Sequence, residues 1–370
     1  MRQWWLVLCF VGLWLSASFA QTDPLLTQAF RDAIVYQGPS DTYPEAGRLN
    51  AGIPVQIVER NELGTWLRVQ RIGRDGAIAL DAWLMRGYLN LAPELRFSQV
   101  PVSDLADAMP ETLRSQSLQV LYSAPLIAPF EDNLREVFAR GQAQGRDSRK
   151  VTKVGDSVSA SSAYLELWAQ DGALLGAHDD LQATLDYYGA QMSASIAAQV
   201  GMTSYVVFDP FWASSADCEP NETPLACEYR LSRASIAFIM FGANDAKHMT
   251  DAEYAQQLRL IVQETLDAGI IPVLSTFSMA EDDPLWWQKI EFNKRVLEVG
   301  AEYQIPVMNL WAALRSLPER GLEQDGVHLL QTGFNYLKLD TGAETWYGAA
   351  LQNLLALRLL DALKAFLEEA

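Results

Sequence analysis

Cysteine and histidine are scarce in this 370-residue chain, which has three of each. No C-x-x-C or H-E-x-x-H pattern occurs, so nothing in the sequence suggests a structural or catalytic zinc. Basic side chains are also few, with 28 Lys and Arg against 46 Asp and Glu. A balance this acidic repels nucleic acid and anionic membranes, so neither is expected as a partner. Long apolar runs are short of what a bilayer requires. Residues 4–15 are almost wholly apolar and residues 346–357 carry no charge, but neither stretch gives a comfortable span. The G-x-S-x-G motif is absent too, which argues against an α/β-hydrolase of the usual type.

What is present begins with a leader. Arg2 precedes the apolar run and Ser18-Phe19-Ala20 follows it, the pattern of a secretory signal over residues 1–20 cut before Gln21, with an uncleaved anchor as the other reading. The protein is therefore expected to be secreted or to reside in the cell envelope. Cys9 leaves with the leader and lacks the small-residue context of a lipoprotein cysteine. Cys218 and Cys227 remain, nine positions apart with Pro220 and Pro224 between them. In an oxidising compartment they read as a disulfide closing one loop, with two free thiols as the other reading. Loss of Arg2 leaves 27 basic against 46 acidic side chains, a net charge of −19 spread along the chain.

Three segments follow the leader. Residues 21–92 read as a small all-β barrel: short runs such as "VQIVER" and "TWLRVQ" alternate with turn-forming stretches such as "NELG" and "GRDG". Residues 93–117 are polar and proline-punctuated and read as a linker. From 118 to 370 strand-like runs ("KVTKV", "ASIAFIMFG", "IIPVLSTF", "IPVMNLW") alternate with helical patterns, which implies an α/β domain with a parallel sheet covered on both faces. Thr250-x-x-Glu253 is a capping box opening one helix. Leu351, Leu355, Leu359 and Leu363 stripe a last helix expected from about Glu344 to Leu367.

Three polar clusters fall where such a domain gathers its chemistry, in loops beyond the carboxyl ends of strands. They are Gly155-Asp156-Ser157, Gly242-Ala243-Asn244-Asp245 and Asp325-Gly326-Val327-His328. A serine hydroxyl needs an adjacent base to become a nucleophile, and His328 supplies one, with Asp325 to fix its tautomer. Acyl transfer also needs donors aimed at the developing oxyanion. The Asn244 amide and the Ser157 N–H are candidates, with a glycine N–H to complete the hole.

The clusters, in this order, resemble the blocks of the SGNH (GDSL-type) hydrolase superfamily: G-D-S at Ser157, G-x-N-D at Asn244 and D-x-x-H at Asp325 and His328. The resemblance spans about residues 118–370. It implies a three-layer α/β fold, a cofactor-free serine esterase or lipase-like activity, and an oxyanion-hole glycine between the first and third blocks. Gly201 in "AAQVGMTS" is the choice for that glycine, with Gly176 and Gly189 as rivals. Upstream, Val35, Gly38-Pro39-Ser40, Tyr43, Gly52, Val55, Trp66-Leu67-Arg68-Val69 and Trp83-Leu84 resemble the signature of bacterial Src-homology-3-like domains. That likeness implies either a cell-wall glycan or peptide ligand or a spacer role.

The remaining polar and aromatic residues have plainer readings. Asp156 is expected to orient the nucleophile loop and Asp245 to support the loop carrying Asn244. His178 reads as a loop or site-lining histidine and His248 as a pocket-rim one, with a surface position the plainer reading of each. Trp212, Trp286 and Trp287 read as core or boundary anchors before substrate contacts. Asn221-Glu222-Thr223 matches a glycosylation sequon by pattern only. The leading expectation is a secreted esterase acting on carboxylic esters, acetyl esters on glycans among them. Acyl transfer to a glycan hydroxyl and a non-catalytic envelope-binding role are the alternatives.

Overall fold

The structure is a computed structural model that describes residues 23–105, 115–166, 168, 173–189, 192–213, 215–333 and 337–369. The leader expected at 1–20 and the middle of the expected linker lie outside the described residues.

The N-terminal unit is a six-stranded antiparallel sheet built from β1 (Leu26–Gln28), β2 (Ala33–Tyr36), β3 (Glu45–Leu49), β4 (Pro54–Arg60), β5 (Trp66–Ile72) and β6 (Ile78–Met85). The strand order is β1-β4-β5-β6-β2-β3, and among the described residues no ladder pairs β1 with β3. Alternation decides which side chains enter its core: Val55 and Ile57 of β4 are buried while Pro54 and Gln56 face out. Val35, Leu67, Val69 and Leu84 join them. Residues 93–103, expected as linker, are instead part of this unit. Leu95, Phe97 and Val100 are buried in the same cluster, and Val102 bridges to Arg60. Their apolar side chains sit among prolines and polar residues, a spacing that shows neither strand nor helix period.

Next come α1 (Gln116–Ser123), α2 (Asn133–Ala143), β7 (Asp147–Gly155), α3 (Ser157–Ala160), α4 (Gln182–Tyr188) and α5 (Pro224–Ser232). The chain continues with β8 (Ala234–Met240), α6 (Asp251–Asp267), β9 (Ile271–Ser275), α7 (Trp286–Tyr303), β10 (Val307–Met308), α8 (Leu310–Leu314) and α9 (Gly348–Glu368). The strands form a parallel sheet of order β10-β9-β8-β7. Every residue of β8 and β9 is buried, so both faces of the sheet are covered. A single parallel bridge from Gly155 to Ala198 lays the segment before Gly201 along the free edge of β7. The expected capping box is present, with the Thr250 hydroxyl and the Glu253 carboxylate each satisfying the other's backbone N–H at the start of α6. Helix α9 begins at Gly348, four residues later than expected. Among the described residues no helix is long and apolar enough to cross a membrane.

The two units are docked through charge as well as apolar contact. Arg86, beside the end of β6, forms an ion pair with Glu344, and both side chains are almost fully buried. Glu344 also contacts His178 Nε2 at 3.2 Å, while Arg358 approaches His178 Nδ1 at 3.1 Å. Because the guanidinium only donates, Nδ1 accepts and Nε2 carries the proton. Burial first, and then the charges of Arg86, Arg358 and Arg60, hold His178 well below the ordinary histidine range, so it is neutral. His178 is thus a buried interface residue and not the surface histidine expected; His248 is exposed. Trp66 Nε1 donates to the Ser316 carbonyl at 3.3 Å, and Tyr88 packs on Trp346 with ring centres 5.9 Å apart.

Candidate active site

Strand β7 delivers the first component. Its last residue, Gly155, lies so close to β8 that a Cβ there would stand 2.3 Å from the Met240 carbonyl oxygen. Asp156 then caps α3, its carboxylate accepting from Val158 N–H at 3.0 Å, and Ser157 occupies the first helical position, half-buried. Burial raises the Asp156 carboxyl to about 7, with the charge of Asp245 adding to the rise, against the opposing Val158 N–H and His328.

The second component follows β8. Gly242 has φ +127°, and a Cβ there would strike the Phe277 ring at 2.1 Å, so only glycine fits. Asp245, fully buried, accepts from Gly242 N–H at 3.1 Å and from both the N–H (2.8 Å) and hydroxyl (2.5 Å) of Ser204. It ties the loop carrying Asn244 to the loop carrying Gly201. Asn244 is half-buried, with its amide 3.4 Å from the Met202 carbonyl. Gly201 is exposed and has φ +79°. Its rivals lie in other surroundings, Gly176 against the Asp340 backbone and Gly189 beside Leu185 and Trp168.

The third component is the turn at 325–328. Asp325 Oδ1 accepts from the N–H groups of Val327 and His328 at 3.0 Å each, and its Oδ2 lies 2.5 Å from His328 Nδ1. His328 Nε2 in turn lies 2.9 Å from Ser157 Oγ. The turn is held to the segment after β9 by the Ser278 hydroxyl on the Val327 carbonyl and by Ala280 N–H on the Gly326 carbonyl. Partial burial pushes the Asp325 carboxyl up, but the His328 hydrogen bond and the two backbone N–H groups outweigh it and hold it at about 2. Asp325 is therefore a carboxylate near neutral pH, able to fix the tautomer that leaves Nε2 facing the serine.

Two supporting residues were not read from the sequence. Ser204 anchors Asp245, and Lys153 braces the loop after α3. The Lys153 side chain is buried and its ammonium reaches the carbonyls of Ser161 (2.9 Å) and Tyr164 (3.1 Å) and the Glu166 carboxylate (2.6 Å). A lysine inside a strand buried on both faces is the signal that could have found it, since such a charge has to be paired. Cys218 and Cys227 form a disulfide with Cα atoms 5.3 Å apart. Glu222 stands beside them, but sulfurs bonded to each other offer no thiolate to a metal.

Residues 154–335 match the family model of the GDSL-like Lipase/Acylhydrolase family. Among solved structures, similar ones include a lipase/acylhydrolase from Enterococcus faecalis, 22% identical over 58% of this chain and 96% of that one, TM-score 0.38. An acetylxylan esterase from Geobacillus stearothermophilus is 18% identical over 58% and 95%, TM-score 0.39. A GDSL-like lipase from Bacteroides thetaiotaomicron is 15% identical over 63% and 98%, TM-score 0.35. No curated protein matches the chain. Residues 154–335 are thus similar to a GDSL-like lipase/acylhydrolase domain.

Proposed function

We propose that the protein is a secreted serine esterase that hydrolyses carboxylic esters, with acetyl esters on glycans as the favoured substrate class. Ser157 Oγ attacks the ester carbonyl carbon while His328 Nε2 takes the hydroxyl proton, and Asp325 stabilises the imidazolium. The Asn244 amide and the N–H groups of Ser157 and Gly201 hold the oxyanion. Collapse breaks the ester C–O bond, and the leaving alkoxide takes the proton from His328. Water then attacks the acyl-enzyme by the same route, releasing the carboxylic acid and restoring Ser157.

The observation that carries this reading is the hydrogen-bonded series Asp325–His328–Ser157, with contacts of 2.5 and 2.9 Å. Hydrolysis is preferred to acyl transfer because the His328 and Asp325 side chains are 42% and 50% exposed, which leaves the base open to water. The N-terminal sheet is read as a Src-homology-3-like module, and the buried Arg86–Glu344 ion pair that joins it to the hydrolase domain favours a fixed companion over a tethered one. The test is p-nitrophenyl acetate turnover by the protein lacking residues 1–20. Turnover that Ser157→Ala abolishes supports the reading; a variant as fast as the native enzyme overturns it.

A further inference from the structure

A cleft of about 780 Å³ opens at Asp325 and Gly326, and its lining comes from both units of the chain. The hydrolase domain supplies the segments 280–284 and 317–326, and the N-terminal sheet supplies Asp41. A second cavity of about 380 Å³ shares Asp41, Leu317 and Pro318 with it and continues between the units past Tyr36 and Tyr88. The two adjoin through these shared residues as a groove, the first part opening at the carboxylate that holds His328 and the second lying against the N-terminal sheet; neither part is lined by Ser157 or His328 itself. An acetyl group needs only a fraction of this space, whereas ligand clefts of about 300–1,000 Å³ hold whole small molecules or polymer segments.

The groove is built around a strained bridge. Glu319 and Arg320 take left-handed backbone angles, φ +49° and +58°, ahead of Gly321 at +61°. Two consecutive non-glycine residues in that region are costly and cluster at ligand clamps. The turn carries Arg320 across the cleft, where it meets Asp41 at 3.4 Å and Glu281 at 3.1 Å. Arg315, 4% exposed and lining the second cavity, leaves its Nε without a hydrogen-bond partner among the described residues. Carboxylates outnumber cationic side chains seven to one in the lining of the larger cleft. Asp282, Glu319 and Glu323 form no ion pair among the described residues. Such walls offer acceptors to hydroxyl donors, repel anionic polymers, and suit an acyl chain poorly.

We infer that this groove is the binding subsite for an uncharged acylated polysaccharide, with Asp41 of the N-terminal sheet forming one wall. The inference rests on the esterase reading and deepens it: the N-terminal unit holds the sugar chain next to the reacting ester and does not merely tether the enzyme. Binding along the groove supplies the remote interaction energy that positions the ester at Ser157.

The test uses the chain lacking residues 1–20 with Ser157→Ala, and measures retention by acetylated glucomannan, which is uncharged, and acetylated pectin, which is anionic, in affinity electrophoresis. Retention by glucomannan and weak retention by pectin are expected. Adding Asp41→Ala is expected to weaken glucomannan binding by about tenfold or more, without lowering the melting temperature, because Asp41 is exposed. Adding Glu323→Lys is expected to raise retention on pectin. Absence of glucomannan binding, equal retention on both polymers, or an Asp41→Ala protein that binds as before and melts as before overturns the inference. Failure of the esterase reading would appear separately, in p-nitrophenyl acetate turnover by the protein with Ser157 intact.

Discussion

His328 Nε2 lies 2.9 Å from Ser157 Oγ although 171 residues separate them in the chain. The contact exists because β7 and the 325–328 turn end at the same edge of the parallel sheet, one carrying the hydroxyl and the other the imidazole. Asp325, three residues before the histidine, decides which nitrogen faces the serine. Asp325→Asn is expected to keep the fold and lower kcat by about 10⁴-fold, the cost of favouring the wrong tautomer. Steady-state kinetics on p-nitrophenyl acetate reads it directly. Because the Asp325 carboxyl is held near 2, its share of stability is present above the unfolded value and is lost as pH falls towards 2.

Asn244 is held half-buried at the end of β8 by the Asp245 contacts with Ser204 and Gly242. Asn244→Ala should cost about 10²–10³ in kcat with a smaller change in KM, as for loss of one oxyanion donor. An unchanged kcat would remove Asn244 from the hole.

Asp156 titrates in the opposite sense to Asp325. Its folded value, about 7, stands above the unfolded value of about 4, so the folded state holds a proton that the unfolded chain has released. Its contribution is fully present below pH 4 and is lost as pH rises to 7 and beyond. Asp156→Asn keeps an acceptor for the Val158 N–H and cannot ionise. The difference in melting temperature, variant minus native, should therefore grow more positive from pH 4 to pH 8. A difference that stays flat would mean that Asp156 is ionised in the native protein at all these pH values.

Glu344 is fully buried against Arg86 and His178 where the two units meet. Glu344→Gln leaves the Arg86 guanidinium buried without a countercharge, and the expected loss is about 3–5 kcal/mol of stability. Urea unfolding monitored by tryptophan fluorescence measures it. A loss below about 1 kcal/mol would show that water reaches the pair.

The strands of the sheet, the capping box at Thr250 and Glu253, and the three polar clusters were all legible because each is a local pattern. Gly155 and Gly242 mark strand ends where a neighbouring chain passes too close for a side chain, and sequence shows the glycine without the neighbour. What sequence could not show depends on distant partners. His178 looks like a loop histidine until Glu344 and Arg358 are placed on either side of it. Helix α9 starts late because residues 343–345 form a separate tight turn that presents Glu344 to Arg86. Leu95, Phe97 and Val100 look like linker residues because the core that takes them belongs to strands tens of residues earlier. The groove between Asp41 and Arg320 joins residues 279 positions apart, and no periodicity records such a meeting.

The most direct measurement of the central claim is covalent capture of the nucleophile. The chain lacking residues 1–20 is treated with a fluorophosphonate, and the labelled peptide is identified by mass spectrometry. The account requires one stoichiometric adduct on Ser157, slowed by His328→Ala and absent from Ser157→Ala. An adduct on another serine, or none on a folded protein that hydrolyses p-nitrophenyl acetate, would contradict it.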